Sequence, residues 1–485
     1  METTLTSVLH TTWSIVLVVI FFNFMIFVHE LGHFLAGKWR GAHIDRFQIW
    51  FGRPIWKKKL WGVDFGIGWI PAGGFVSLPQ MESMEGIKGK ADMPANLRPL
   101  KAIDKVIIAA AGPLFSLLLA YAFALVVWGV GKPVGEVMGT TIGYVQPGSP
   151  AAEAGLLPGD KVLAVDGQAV DKWMGNMEGV RELIAMSNGE QIALTVSRPG
   201  LAEPLTIKSG YVLPETKWWQ RKAMRQLGVL PMAPAVVGRV VPGSPAARAG
   251  LQKGQRIVSV NGEPVYSPLA VQELSAAGEP VKLLLEPAPG APQGEQPVAV
   301  SIASEMPVNW QGKPGAVPVL GIEWGDLVGE IKMEHPSPQA QVAQSLKWMG
   351  STLEKLFTPG SSVKMEHLSG PVGIGSYIYK MMGAENGMGW RLVLWFAVVL
   401  NVNLAVLNIL PLPVVDGGHV TLGIIEMLRG KPVSGRFLNW IMTAFIFLLM
   451  GFFLFVTFKD VGDLVGSGKS ASEKLPEPVF APAAP

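Results

Sequence analysis

The sequence contains no cysteine and little charge. Without thiols there are no disulfides, no thiolate metal sites and no cysteine nucleophile, so any bound metal must use histidine, aspartate or glutamate. Only 16% of the residues are charged and the mean hydropathy is +0.34. That combination describes a membrane protein with soluble parts. The 40 Lys and Arg nearly balance the 37 Asp and Glu, leaving a net charge of +3 and no reason to invoke nucleic acid. Histidine is also scarce, at seven, so where the histidines stand carries information. A chain of 485 residues exceeds one core, and several domains are expected.

Four apolar runs have lengths suited to helical membrane spans: about Trp13–Ala36, Val106–Val130, Leu392–Leu410 and Phe437–Phe458. The first lacks a basic start and is too long for a cleaved leader. Lys38, Arg40, Arg46, Arg53 and Lys57–Lys59 follow the first span, and Arg429, Lys431 and Arg436 lie between the third and fourth. The excess of basic residues places both loops in the cytoplasm and both termini outside. Residues from about Gly131 to Trp390 then lie outside, as does a Pro- and Ala-rich segment after Asp460 that reads as disordered.

The external region repeats itself. Val145-Gln-Pro-Gly-Ser-Pro-Ala-Ala-Glu-Ala-Gly-Leu returns as Val240-Val-Pro-Gly-Ser-Pro-Ala-Ala-Arg-Ala-Gly-Leu, 95 residues later. Each copy is followed by a strand and a hairpin-turn pair, Asp166-Gly167 and Asn261-Gly262. The pattern resembles the PDZ domains of bacterial proteases, which bind extended peptides by strand addition. A pair of ligand-free structural β-domains is the plainer alternative. Beyond the repeats, Pro338–Phe357 has Leu346, Met349, Leu353 and Leu356 at helical spacing. This helix fits either the outer membrane surface or the face of the repeat pair.

The most informative feature is ionisable. His29-Glu30-Leu-Gly-His33 interrupts the first apolar run, and such residues at bilayer depth are costly and reserved for function. The spacing sets two imidazoles on one helical face beside a carboxylate, the two-histidine, one-base pattern of a zinc peptidase. Zinc needs a third protein ligand and an open position. Candidates stand in the segment Asn401-Val-Asn403-Leu-Ala-Val-Leu-Asn408-Ile-Leu-Pro411-Leu-Pro413-Val-Val-Asp416-Gly-Gly-His419. The two prolines must break the third helix, and Asp416 and His419 both follow the break. Broken helices are tolerated at membrane depth where they line a polar cavity. Between the first two spans, Val63, Phe65, Ile67 and Trp69 alternate with polar or small residues, Pro71-Ala-Gly73-Gly74 reads as a turn, and Phe75–Leu78 returns. A β-hairpin over residues 63–78, dipping into the membrane, would pair with an unwound substrate, with Gly73 and Gly74 as substrate contacts.

The first-span motif, the Asn-x-x-Pro-x-Pro-x-x-Asp-Gly segment and the repeat pair between them resemble the site-2 protease family of intramembrane zinc metalloproteases. Leu368-Ser-Gly-Pro-Val-Gly-Ile374 extends the likeness, which covers nearly the whole chain. The resemblance implies zinc held by His29, His33 and Asp416, Glu30 as catalytic base, and Asn408 and Asn403 holding the substrate backbone. Where relatives carry Asn shortly after Gly-Pro in the second span, this chain has Gly112-Pro113-Leu114-Phe115-Ser116, which leaves that position without an expected polar role.

The expected fold is thus a multi-span α-helical membrane protein, with four transmembrane helices, a membrane-associated β-hairpin and two periplasmic α+β PDZ domains. Its expected divisions are a membrane half over residues 1–130, PDZ domains over 131–222 and 223–310, and a connector over 311–390. A second membrane half covers 391–460 and a disordered tail 461–485. The expected location is the inner membrane with the site toward the cytoplasm. The expected partners are the lipid bilayer and single-span membrane proteins, an anti-sigma factor or remnant signal peptides, but no nucleic acid. The sequence leaves the oligomeric state open, and His and Asp ligands suit several divalent metals besides zinc. The rival readings are a different multi-span zinc protease and a catalytically silent PDZ-bearing scaffold.

Overall fold

The computed structural model describes residues 2–81, 100–134, 137–175, 177–287, 296–325, 332–383, 387–431, 435–470 and 475–480. The chain divides into two compact units. One comprises Met1–Pro133, Met333–Glu354 and Leu368–Val461, and the other Val134–Lys332, Lys355–His367 and Gly462–Pro485.

Among the described residues, four helices have segments long and apolar enough to cross a membrane: Val16–Arg40, Ala102–Val130, Gly389–Ile409 and Phe437–Gly466. The first belongs to helix α1 (Glu2–Arg40), and the second is helix α2 (Ala102–Val130). The fourth lies in a helix that runs from Gly435 to Ser470. Helix α2 is the centre of the first unit. Gly112, Ser116, Ala120 and Ala124 recur every four residues along it and all are buried. Small residues on one face let helices approach closely where no hydrophobic effect drives association. At the α1 crossing, a methyl group on Gly32 would lie 2.4 Å from the Ala111 carbonyl oxygen. Farther along, Ala120, Ala124 and Val127 pack with Val398 and Val402 of the third-span helix.

The helix Pro338–Phe357 has the expected bounds but a different buried face. Gln341 and Ser345 are buried, and Gln341 Nε2 donates to the Ala124 carbonyl at 3.0 Å. Trp348 meets Trp395 edge-on, with ring centroids 6.0 Å apart, while Leu346 stays 43% exposed. The face toward the spans is therefore mixed, with Gln341 hydrogen-bonded to α2 and Val342 and Trp348 packed against α2 and the third-span helix. A second polar tie sits at the far end of the fourth span. Buried Asp460 accepts from the Gly370 and Gly373 amides at 3.4 and 2.8 Å. These amides open the helix Pro371–Met382, and an anion is favoured at a helix start.

Between α1 and α2, the single expected hairpin is replaced by two longer strands, β1 (Arg46–Leu60) and β2 (Val63–Ser77), joined at Trp61-Gly62. The two arms expected to pair across Pro71–Gly74 do not pair with each other. Residues 46–49 lie between them: Phe47 is partnered by Phe65 on one side and Val76 on the other, and Ile49 by Ile67 and Gly74. Burial explains the insertion. Phe47 is 2% exposed, stacks on Phe65 and meets Phe27 and Phe34 of α1 edge-on. Pairing residues 63–69 directly with 75–78 would leave this ring without its cluster. At the outer end, Lys57 Nζ lies 2.7 Å from Asp64 Oδ2 and holds that carboxyl below the usual carboxylate range.

The second unit contains two β-domains built alike. In the first, Lys161–Val165 is flanked by Ile192–Ser197 and the short strand Gln168–Ala169, while Val229–Pro231 pairs with Ile142–Val145. In the second, the order across the sheet is Val298–Ala303, Pro280–Glu286, Arg256–Val260, Ala235–Val240, Ile322–Trp324. Repeated positions do the same work. Ser149 and Ser244 cap short helices by accepting from the Ala152 and Ala247 amides. Val162 and Ile257, Val165 and Val260, and Leu227 and Leu320 fill the two cores. Asp166 and Asn261 adopt φ of 48° and 53° to turn the two hairpins.

The segment expected to be disordered from 461 onward is partly ordered. The fourth helix continues through it to Ser470, and Arg221 holds Asp463 through both its amide and its guanidinium. Residues 475–480 lie on the second β-domain, whereas 471–474 and 481–485 are outside the described residues.

Replacing Ala120 by Leu inserts three carbons at a 0% exposed helix contact. It is expected to destabilise the membrane unit by about 1–3 kcal/mol, read as a lower midpoint of unfolding in detergent. Leu118→Ala, on a 55% exposed face, is expected to change it by less than about 0.5 kcal/mol.

Candidate metal centre

Helix α1 carries His29 and His33 one turn apart toward α2, and both are buried, at 7% and 8% exposure. Each ring is held by α2 through its Nδ1. His33 Nδ1 lies 2.8 Å from the Ile108 carbonyl, which can only accept, so Nδ1 carries the proton and Nε2 presents a lone pair. His29 Nδ1 lies 2.9 Å from Ser116 Oγ, and with a metal on Nε2 the proton would sit on Nδ1 and the hydroxyl would accept it. The two Nε2 atoms are 3.4 Å apart. Asp416 closes the triangle, with Oδ2 at 3.1 Å from His29 Nε2 and Oδ1 at 3.3 Å from His33 Nε2.

Asp416 reaches this point because the third-span helix stops at Ile409 and a new helix, Asp416–Arg429, starts after Pro411 and Pro413. The reversal is tight. Methyl groups on Gly417 or Gly418 would lie 2.2 Å from the Leu410 or Leu412 carbonyl oxygens. The new helix rests on α2, where Lys105 Nζ meets Glu426 Oε2 at 2.7 Å.

Three donor atoms, one from each of these residues, lie within 4.8 Å of one another. Two imidazole lone pairs and a carboxylate aimed at one point repel unless a cation lies among them. Zinc with tetrahedral nitrogen and oxygen ligands at 2.0–2.2 Å spaces those ligands roughly 3.3–3.6 Å apart, close to the separations here. The space is also kept clear. A methyl on Gly112 would sit 2.2 Å from His33 Nε2 and 2.8 Å from His29 Nε2. Donor chemistry, spacing and clearance therefore fit a metal of the zinc type.

Beside this cluster is a cavity of about 840 Å³ whose wall includes Glu30, His33, Asp416, Gly74 and Phe51. Strand β2 passes close to Glu30: the Cβ position of Gly74 is 3.3 Å from Glu30 Cγ. Gly73 has a φ of 70°, and any side chain on it would meet the Phe51 ring. His419 lines the cavity but stands outside the three-donor cluster. Asn403 and Asn408 are half-buried on the third-span helix and are not among the residues lining this cavity. Asn401 is fully buried, with Nδ2 donating to the Ala397 carbonyl at 2.8 Å.

Ser116, Gly112 and the Ile108 carbonyl complete the site and were not expected to. The second span does have a polar role here, filled by Ser116 rather than by an asparagine nearer Gly-Pro. The four-residue spacing from Gly112 to Ser116 in an otherwise apolar helix is the signal that points to it.

Apolar helices around a buried two-histidine, one-aspartate cluster with an adjacent glutamate define a membrane metallopeptidase. Residues 17–452 match the sequence profile of peptidase family M50. The chain is 30% identical to Protease RseP of Yersinia pestis over 473 residues, covering 92% of this chain and 98% of that protein. It is 30% identical to the regulator of sigma-E protease RseP of Escherichia coli over 475 residues, with the same coverage. Against the regulator of sigma E protease of Haemophilus influenzae it is 27% identical over 467 residues, again covering 92% and 98%. The chain belongs to peptidase family M50, the site-2 protease family.

Ser116→Ala removes the hydrogen bond that orients His29. Outer-sphere partners of metal-bound histidines are worth about 10–100-fold in affinity. Competition with a chelator is expected to show a loss of that size, while helix content by circular dichroism stays unchanged.

Proposed function

We propose that the chain is an intramembrane zinc endopeptidase that hydrolyses peptide bonds in the transmembrane segments of single-span membrane proteins. The observation that carries this reading is the donor triangle of His29, His33 and Asp416 beside a cavity that Glu30 also lines. His29, His33 and Asp416 would hold zinc. Bound there, zinc supplies the Lewis acidity that makes water a nucleophile near neutral pH and polarises the scissile carbonyl. Glu30 takes a proton from the attacking water and returns it to the leaving amine. Ile108 keeps the His33 imidazole in the tautomer that would face the metal, and Ser116 orients the His29 ring.

A helical substrate must be unwound before attack, because its amides are engaged in the helix. Strand β2 is suited to receive the opened chain, since Gly74 brings its backbone beside Glu30 without a side chain between. Gly73 and Gly74 are accordingly assigned to substrate binding. Asn408 and Asn403 are assigned to holding the substrate backbone on the family resemblance, ahead of the Pro411 break.

The names of the relatives point to regulation of sigma-E, so the substrate class proposed is a membrane-bound anti-sigma factor already trimmed outside. Remnant signal peptides form a second class. The proposed location is the inner membrane, with the β-domains periplasmic and the cavity toward the cytoplasm, as the basic residues after the first span favour. The paired β-domains are read as PDZ modules that screen substrates. Their matched Ser149/Gly228 and Ser244/Gly321 positions and shared hairpins support this.

Purified wild type is expected to cleave a trimmed single-span substrate in detergent, with the activity abolished by chelator. Glu30→Gln is expected to retain metal and lose about 10²–10⁴-fold in rate. Equal cleavage by both proteins would overturn the assignment of Glu30. A metal-free wild type that cleaves nothing would favour the silent scaffold. Deleting Val145–Pro307 is expected to release cleavage of the untrimmed substrate, and unchanged selectivity would sink the screening role.

A further inference from the structure

The second β-domain carries a stretch of the chain's own C-terminal segment, and the contacts are those of a recognised peptide. Trp310 Nε1 donates to the Pro476 carbonyl at 2.7 Å, and Asn309 Nδ2 donates to the Glu477 carbonyl at 2.7 Å. The Val308 amide donates to the Val479 carbonyl at 2.8 Å. The Val479 amide donates back to Asn309 Oδ1 at 3.0 Å. Arg239 pairs with the Glu477 carboxylate while also holding Glu323. Phe480 is 8% exposed, with its ring beside Gly321 and Ser244.

Two properties of the segment suit it to this role. Pro476 and Pro478 lack amide hydrogens, so the extended backbone leaves few donors unpaired, and their fixed φ lowers the entropy lost on docking. The segment is also joined to Ser470 by only a few residues, which gives a tethered ligand an effective concentration on the order of millimolar. The first β-domain provides the contrast. At its equivalent Ser149/Gly228 pair the next neighbour of Gly228 is Gln146 of the same domain, not an incoming segment.

We propose that Ser244, Val308–Trp310 and Gly321, with Arg239 at the rim, form a peptide-binding site that Pro476–Phe480 occupies as a tethered ligand. The site takes extended, proline-containing segments that place an acidic residue against Arg239 and an aromatic ring against Gly321. This deepens the reading of the β-domains as peptide-binding modules: one of the two is held closed in cis, and a segment of a membrane substrate with the same chemistry must displace the tail to bind there.

The test uses the chain in detergent, in a Glu30→Gln background so that nothing is cleaved. A fluorescent peptide of the sequence Leu475–Phe480 is titrated into the intact chain and into one ending at Ser470. The shortened chain is expected to bind the peptide, and the intact chain at least tenfold more weakly. A peptide with Ala at the Phe480 position should lose at least tenfold, and Arg239→Glu in the shortened chain about threefold or more. If the shortened chain does not fold, full-length Phe480→Ala should bind the wild-type peptide in trans. Failure of the peptide to bind either opened form, with the fold intact by limited proteolysis, would overturn the proposal and make the tail a fixed part of the domain. Equal binding to intact and opened chains would overturn it too, by placing the peptide elsewhere. The protease reading is judged separately, by cleavage with an intact Glu30; its failure would leave the peptide titration interpretable.

Discussion

The site depends on the close contact between α1 and α2. Among the described residues, each imidazole Nδ1 is held by α2, through the Ile108 carbonyl for His33 and the Ser116 hydroxyl for His29. Those hydrogen bonds require the two backbones to lie nearly in contact, which the absence of side chains at Gly32 and Gly112 allows. One constraint therefore does two jobs. It packs two membrane helices where the hydrophobic effect contributes little between them, and it holds both Nε2 lone pairs on one point.

The third residue of the cluster lies 383 residues beyond His33, and its arrival there depends on a broken helix. Pro411 and Pro413 end the third span, and Gly417 and Gly418 let the next helix start directly under the break. The backbone groups freed by such a break are costly in lipid and tolerable beside a polar cavity. Here the Leu412, Val415 and Gly418 amides donate to the Leu410, Leu412 and Val415 carbonyls, and Val414 and Asp416 line the adjacent cavity. Strand β2, the Glu30 carboxylate, His33 and Asp416 thus line one cavity.

The β-domains show the same economy on a smaller scale. Ser149 and Ser244 each cap a four-residue helix and press against the glycine that precedes an edge strand. A segment before that glycine contacts the C-terminal part of the chain in each domain, the end of the fourth helix in the first and the Pro-rich stretch in the second. Arg221 holds Asp463, and Val308–Trp310 hold residues 476–479. A segment of high proline content thereby becomes ordered because it has specific partners, not because of its composition.

Composition and pattern alone determined the four spans, the His29-Glu30-His33 face, the break before Asp416 and the duplicated domains. Each rests on a local rule: length of apolar run, helical period, proline's missing amide, or direct repetition. Only the tertiary structure decided the rest. It separated Asp416 from His419: both line the cavity, but only Asp416 brings carboxylate oxygens to 3.1 and 3.3 Å from the His29 and His33 Nε2 atoms. It inserted residues 46–49 between the arms of the expected hairpin, because Phe47 had to reach the aromatic cluster of α1. It turned Gln341 and Ser345 inward and assigned Ser116 to His29, because a polar group in an apolar setting goes where a partner is, and the partner is named by the fold rather than by its neighbours in sequence.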